Sequence, residues 1–170
     1  IIYLGAHLKD RTGRISFAEV HYEWAELALS WKTRETEPQS NRHAFIAPRE
    51  TGKSTWWFLI LPMWAAAYGH RNFAVAFADT AAQAQTHLTS FKRELETNPL
   101  LAADFPELCT PARKRSGHAI ADRAGMIHQR NGFVLAARGI DAATLGLKVE
   151  ERRPDLLIFD DVEPDEASYS

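Results

Sequence analysis

The chain has 170 residues, 45% of them hydrophobic and 11% aromatic, with 20 Lys+Arg against 22 Asp+Glu and a formal net charge of −2. That composition excludes a chain that is disordered throughout, and the length suits one domain rather than two. The longest apolar run, Trp56 to Tyr68, is too short for a bilayer span and contains Pro62, so no membrane segment is expected.

A balance this close to neutral argues against strong static binding to nucleic acid, which favours a basic chain. Cys109 is the sole cysteine, which excludes an internal disulfide and a cysteine-rich zinc site and points to a reducing compartment. No secretory leader pattern is present, and a start at Ile1 rather than Met suggests that the ends are not natural termini.

In chain order, Phe17 to Trp31 places Val20, Trp24, Leu27, Ala28 and Trp31 at helical spacing, which predicts an amphipathic helix. The polar stretch Lys32 to Arg42, with Pro38, reads as a loop. His43 to Ala47 is expected to form a short strand, followed by a loop and a buried helix from Ser54 that Pro62 should kink or break. Phe73 to Ala78 reads as a buried parallel strand, and Thr80 as the cap of a helix over Ala81 to Thr97. Ala84, His87, Leu88, Phe91 and Leu95 share one face of that helix, and Asn98-Pro99 stops it. Leu100 to Gly117 is expected to be a loop with short helical turns. Arg130-Asn131-Gly132 between apolar runs marks a hairpin, and Asp141 to Arg153 a polar connection. A final apolar strand ends at Asp160. Strands alternating with helices predict an α/β fold, a mostly parallel central sheet covered on both faces.

The segment Ala47-Pro48-Arg49-Glu50-Thr51-Gly52-Lys53-Ser54-Thr55 has the G-K-S core of a phosphate-binding loop between a predicted strand and a helix, although Ala47 stands where the first glycine is usual. Pro48 through Thr55 are therefore the candidate nucleotide-binding residues. Backbone N–H groups and the helix N-terminus would face phosphates, Lys53 would reach the β- and γ-phosphates, and Ser54 would ligate Mg²⁺. Leu156-Leu157-Ile158-Phe159-Asp160-Asp161 is four apolar residues and two acids, the Walker B pattern, about 107 positions after Lys53. Such a strand presents a carboxylate beside the phosphate loop, making Asp160 the second metal residue. Asp161, with Glu163 in reserve, is the candidate general base for water. The strand Phe73 to Ala78 between the two motifs favours the RecA-like (ASCE) branch of P-loop NTPases over small-molecule kinases.

The loop A-P-R-E-T-G-K-S-T, the run R-P-D-L-L-I-F-D-D-V-E, and F-A-D-T-A-A-Q-A followed by a long helix to E-L-E-T-N together resemble the large terminase subunit of tailed bacteriophages, in its N-terminal DNA-packaging ATPase domain. The resemblance covers roughly residues 21–166. It implies ATP as substrate, Mg²⁺, coupling of hydrolysis to translocation of double-stranded DNA into the procapsid, a homo-oligomeric ring on the portal, a small terminase subunit as partner, and the host cytoplasm as location. It implies that Arg49 contacts the γ-phosphate, and that a neighbouring subunit supplies a further arginine, for which Arg138, Arg152 and Arg153 are the candidates by position. On this resemblance the chain is an ATPase fragment, a helical segment over about 1–40 and a P-loop core over about 41–170, without the RNase-H-like nuclease domain.

Two other readings are open: a superfamily 2 type helicase or remodelling ATPase, and a nucleotide-binding switch module with negligible turnover. The seven histidines show no metal-ligand spacing and are expected to be structural or exposed. Tyr22 or Trp24 is a candidate wall for adenine, and Arg113-Lys114-Arg115 a candidate contact for a DNA backbone. The charge is unevenly spread: eight acids and two bases lie from Glu150 to Ser170, a net of −6, which leaves +4 on residues 1–149.

Overall fold

The computed structural model describes residues 3–9, 12–33, 42–120, 122–123, 125–140, 148–149 and 151–160. Helix α1 (Glu19–Leu29) continues into a 3-10 turn (Ser30–Lys32). The face predicted by its 3.6-residue period is the one buried: Trp24, Ala28 and Trp31 lie in the core, with Val20 and Leu27 packed against it.

Helix α2 starts after Gly52 and runs through three segments, α-helical Lys53–Thr55, π-helical Trp56–Ile60 and α-helical Leu61–Ala67. Pro62 has no N–H for the carbonyl one turn behind it. The rod does not break there. Instead the Leu61 N–H bonds to the Trp56 carbonyl, five residues back, so a widened turn absorbs the proline.

Strand β1 (Phe73–Ala78) is buried at all six positions. Thr80 and Gln83 cap each other at the start of helix α3 (Ala81–Thr97), which buries Ala84, Leu88, Phe91 and Leu95. Asn98 then accepts from the Leu101 N–H and opens the short helix α4 (Pro99–Asp104). Among the described residues, strands β2 (Asp122–Arg123), β3 (Met126–His128), β4 (Val134–Gly139) and β5 (Leu156–Asp160) join β1 in a five-stranded sheet in the order β2-β3-β4-β1-β5. β4, β1 and β5 are parallel, whereas β2, β3 and β4 pair antiparallel, with the predicted Asn131-Gly132 turn joining β3 to β4. The chain is thus α/β with a mixed sheet, parallel only in its β4-β1-β5 half.

Two expectations need correction. Residues 43–47 join no ladder among the described residues: Ile46 is fully exposed, and Phe45 lies on the Trp57 ring with centroids 4.7 Å apart. An apolar run becomes a strand only where a neighbour offers its backbone, and sequence carries no information about that neighbour. The sheet is also not flanked by described helices on both faces. Ala74, Ala76, Ala78, Leu135, Ala137 and Ile158 share one core with α1, α2 and α3, while Phe73, Val75, Phe77, Val134 and Ala136 form a separate cluster on the other face to which no described helix contributes. The predicted loop over residues 34–41 lies outside the described residues.

β5 is an edge strand among the described residues, with Ile158 buried and Leu157 and Phe159 about half exposed. Its start is fastened by Asp155, whose carboxylate accepts from the N–H groups of Asn72 (3.0 Å) and Phe73 (2.8 Å) at the head of β1. The acid of the R-P-D sequence therefore sets the register of the strand that carries Asp160. Charge-assisted bonds of this kind are worth about 1.5–3 kcal/mol when sheltered and less at an exposed site. We expect Asp155→Ala to lower the melting temperature by about 3–6 °C; an unchanged thermal melt would show that the clamp contributes nothing.

Candidate nucleotide site

The loop over residues 48–52 is shaped by short-range bonds. The Thr51 hydroxyl donates to the Pro48 carbonyl at 2.9 Å, and Glu50 (φ 68°) and Gly52 (φ 71°) both adopt the left-handed conformation. Glycine does so freely, whereas a non-glycine residue there stores about 1 kcal/mol or more of strain, a feature that clusters at binding loops. Trp56 N–H is bonded to the Gly52 carbonyl at 2.9 Å. The N–H groups ahead of it belong to the helix's first turn and have no intrahelical acceptor. They stand at the positive end of α2, which suits an anion.

Helix α1 braces this loop through His21. Its Nδ1 accepts from the Ala18 N–H at 3.0 Å, its Nε2 donates to the Thr51 carbonyl at 2.8 Å, and the ring stacks on Trp56 with an interplanar angle of 8°. One tautomer satisfies both bonds.

Opposite the loop, at the C-terminal end of β5, stands Asp160. Ser54 Oγ donates to its Oδ2 at 3.2 Å, His87 Nε2 lies 3.2 Å from the same oxygen, and Lys53 Nζ is 4.0 Å from Oδ1. The hydrogen bond from His87 is the main cause that holds the Asp160 carboxyl below the ordinary carboxylate range; it outweighs the opposing effect of burial, and Ser54 and Lys53 add to it. A depressed carboxyl contributes stability that is present above the unfolded-state pKa and disappears as pH falls through the folded-state value. Asp160 is accordingly ionised throughout the neutral range.

Lys53, Ser54 and Asp160 are thus brought together as the two motifs imply. Pro48, Arg49, Glu50 and Gly52 are exposed, and Thr51 and Thr55 half-buried. Thr55 lines a cavity of about 170 Å³ together with Ser54, Phe58, His87, Ser90 and Arg93. Asp161 and Glu163 lie outside the described residues. Arg138 donates to the carbonyls of Ala137 (2.9 Å) and Gly125 (3.3 Å), Arg152 donates to the Gly132 carbonyl (2.7 Å) near the opposite end of the sheet from Asp160, and Arg153 is exposed. Trp24 is fully buried in the core, whereas Tyr22 is exposed. Arg113, Lys114 and Arg115 sit on an exposed turn held by the bond from Lys114 N–H to the His118 carbonyl.

Sequence reasoning missed His21 and His87. The available signal for His87 was its place on the apolar stripe of α3, where a polar ring needs a partner.

Among the described residues no group of three or more His, Cys, Asp or Glu side chains stands ready to cage a metal ion. A serine hydroxyl and one carboxylate is instead the protein donor set suited to a hydrated Mg²⁺ that takes its remaining ligands from phosphates. No described helix is long and apolar enough to cross a membrane. Comparison with protein-family models, with curated proteins and with solved structures finds no match to this chain.

Proposed function

We propose that this chain is the ATP-hydrolysing motor domain of a viral DNA-packaging terminase, a RecA-like P-loop NTPase acting on double-stranded DNA. The observation that carries the nucleotide reading is the meeting of Lys53 and Ser54, at the head of α2, with Asp160 at the end of β5. The packaging reading rests on Arg49 within the loop and on the R-P-D-x-x-x-x-D-D sequence.

In this reading the N–H groups of the loop and of the first turn of α2 bind the β- and γ-phosphate oxygens, and Lys53 places its charge on them. Ser54 and Asp160 would hold a Mg²⁺, which would further neutralise those oxygens. Arg49 stabilises charge that develops on the transferring phosphoryl group. Asp161 or Glu163 orients the attacking water. Arg138, Arg152 and Arg153 are the candidates for a neighbouring site; Arg138 and Arg152 donate to carbonyls of their own chain, and Arg153 is exposed. The same reading gives the chain a homo-oligomeric ring on the portal, a small terminase subunit as partner and the host cytoplasm as its location.

Phosphate release from Mg²⁺-ATP is expected to rise on addition of linear double-stranded DNA. Stimulation by single-stranded DNA alone would overturn the packaging reading. Arg49→Ala is expected to lower kcat about 100-fold or more with nucleotide affinity nearly unchanged, because its guanidinium serves the transition state; equal losses in both would refute that role.

A further inference from the structure

We propose that His87 is a positioning residue that fixes the Asp160 carboxylate for a Mg²⁺-bound nucleotide. This inference rests on the nucleotide reading above and goes beyond it, because no motif singles out His87.

The face of α3 that carries His87 is otherwise made of Ala84, Leu88, Phe91 and Leu95, all buried. An imidazole on such a stripe sacrifices hydration and requires a polar partner. His87 has one. Its ring lies on Phe58 of α2, with centroids 4.1 Å apart and planes 19° apart, and the stack directs Nε2 to Asp160 Oδ2 at 3.2 Å. The imidazole is thus held between two helices while it reaches the tip of a strand.

That strand needs such a hold. β5 lies at the sheet edge among the described residues, with Leu157 and Phe159 about half exposed even though Phe159 stacks on Phe77 at 4.7 Å, so the end of the strand is less enclosed than β1. Two side chains meet Oδ2, the Ser54 hydroxyl and His87, while Oδ1 faces Lys53. Ser54 would also be a ligand of the metal, which leaves His87 as the Oδ2 partner that would serve the carboxylate alone. Outer-shell partners of metal-binding carboxylates typically contribute about 10–100-fold to metal affinity.

The test is a Mg²⁺ titration of the full chain in the presence of a fluorescent ADP analogue, with the analogue's affinity also measured in EDTA. His87→Phe keeps a ring to stack on Phe58 and removes the donor; His87→Gln keeps a donor. His87→Phe is expected to raise the half-saturating Mg²⁺ concentration about tenfold or more, to leave affinity in EDTA unchanged, and to be partly rescued by His87→Gln. If His87→Phe does not fold, His87→Ala in the same titration decides the matter. A residue that merely packs α3 against α2 would lower the melting temperature without moving the Mg²⁺ midpoint. An unmoved midpoint, or equal losses with and without Mg²⁺, overturns the proposal. If the wild-type chain shows no Mg²⁺-dependent binding at all, the nucleotide reading itself falls and the role of His87 with it.

Discussion

Lys53→Ala is expected to reduce steady-state phosphate release from Mg²⁺-ATP by about 100-fold or more, the scale lost when one preorganised group that meets developing charge is removed. The fold should survive. Lys53 is one-third exposed and its ammonium is 4.0 Å from Asp160 Oδ1, too loose and too wet a pair to add much stability. The thermal melt of the variant should therefore stay within a few degrees of wild type, which separates loss of function from unfolding. Lys53→Arg is expected to restore little, because a planar fork does not replace a compact ammonium among phosphate oxygens. A rate within about threefold of wild type in Lys53→Ala would remove the loop from the active site.

The largest loss of stability is expected from Gly139→Ala. Gly139 ends β4 opposite Ala78 in the parallel register, and the turn into α3 crosses directly over it. A Cβ built there lies 2.8 Å from the Ala81 nitrogen and 3.2 Å from the Thr80 carbonyl carbon. Both obstacles are backbone, so no rotamer change relieves the clash. Either the end of β4 or the capped first turn of α3 must move. Overpacking of this kind costs about 2–3 kcal/mol, or about 4–12 °C in the melting temperature of a chain this long. An unchanged denaturation midpoint would mean that the approach of α3 to β4 is softer than its geometry implies.

Sequence period located the elements whose partners are local or one-sided. α1 and α3 show their buried faces in the spacing of Trp24, Ala28 and Trp31 and of Ala84, Leu88, Phe91 and Leu95, and Thr80 with Gln83 marks the start of α3. β1 and β5 were legible as short continuous apolar runs bounded by polar residues, and the β3–β4 hairpin by its Asn131-Gly132 turn. The pairing of residues 43–47 was not, since a ladder depends on a second segment. The π-helical turn was not either, because a proline signals a disturbed helix without saying whether the rod bends or widens. At the site, Lys53, Ser54 and Asp160 were legible because motif spacing encodes them. His21 and His87 were not: each occupies a position that helical period assigns to packing, and only the tertiary arrangement brings one to the Thr51 carbonyl and the other to the Asp160 carboxylate. The uneven charge noted in the sequence has a local counterpart, since Asp160 of the acidic end is met by Lys53 of the basic body.

The most direct measurement is calorimetric titration of ADP into the chain, once with Mg²⁺ and once with EDTA, repeated on Asp160→Asn. If Lys53, Ser54 and Asp160 form a Mg²⁺-nucleotide site, Mg²⁺ tightens binding to the wild-type chain by about tenfold or more, and Asp160→Asn loses most of that gain while still binding in EDTA. Equal wild-type affinity with and without Mg²⁺, or an undiminished gain in Asp160→Asn, would contradict the assignment of the site.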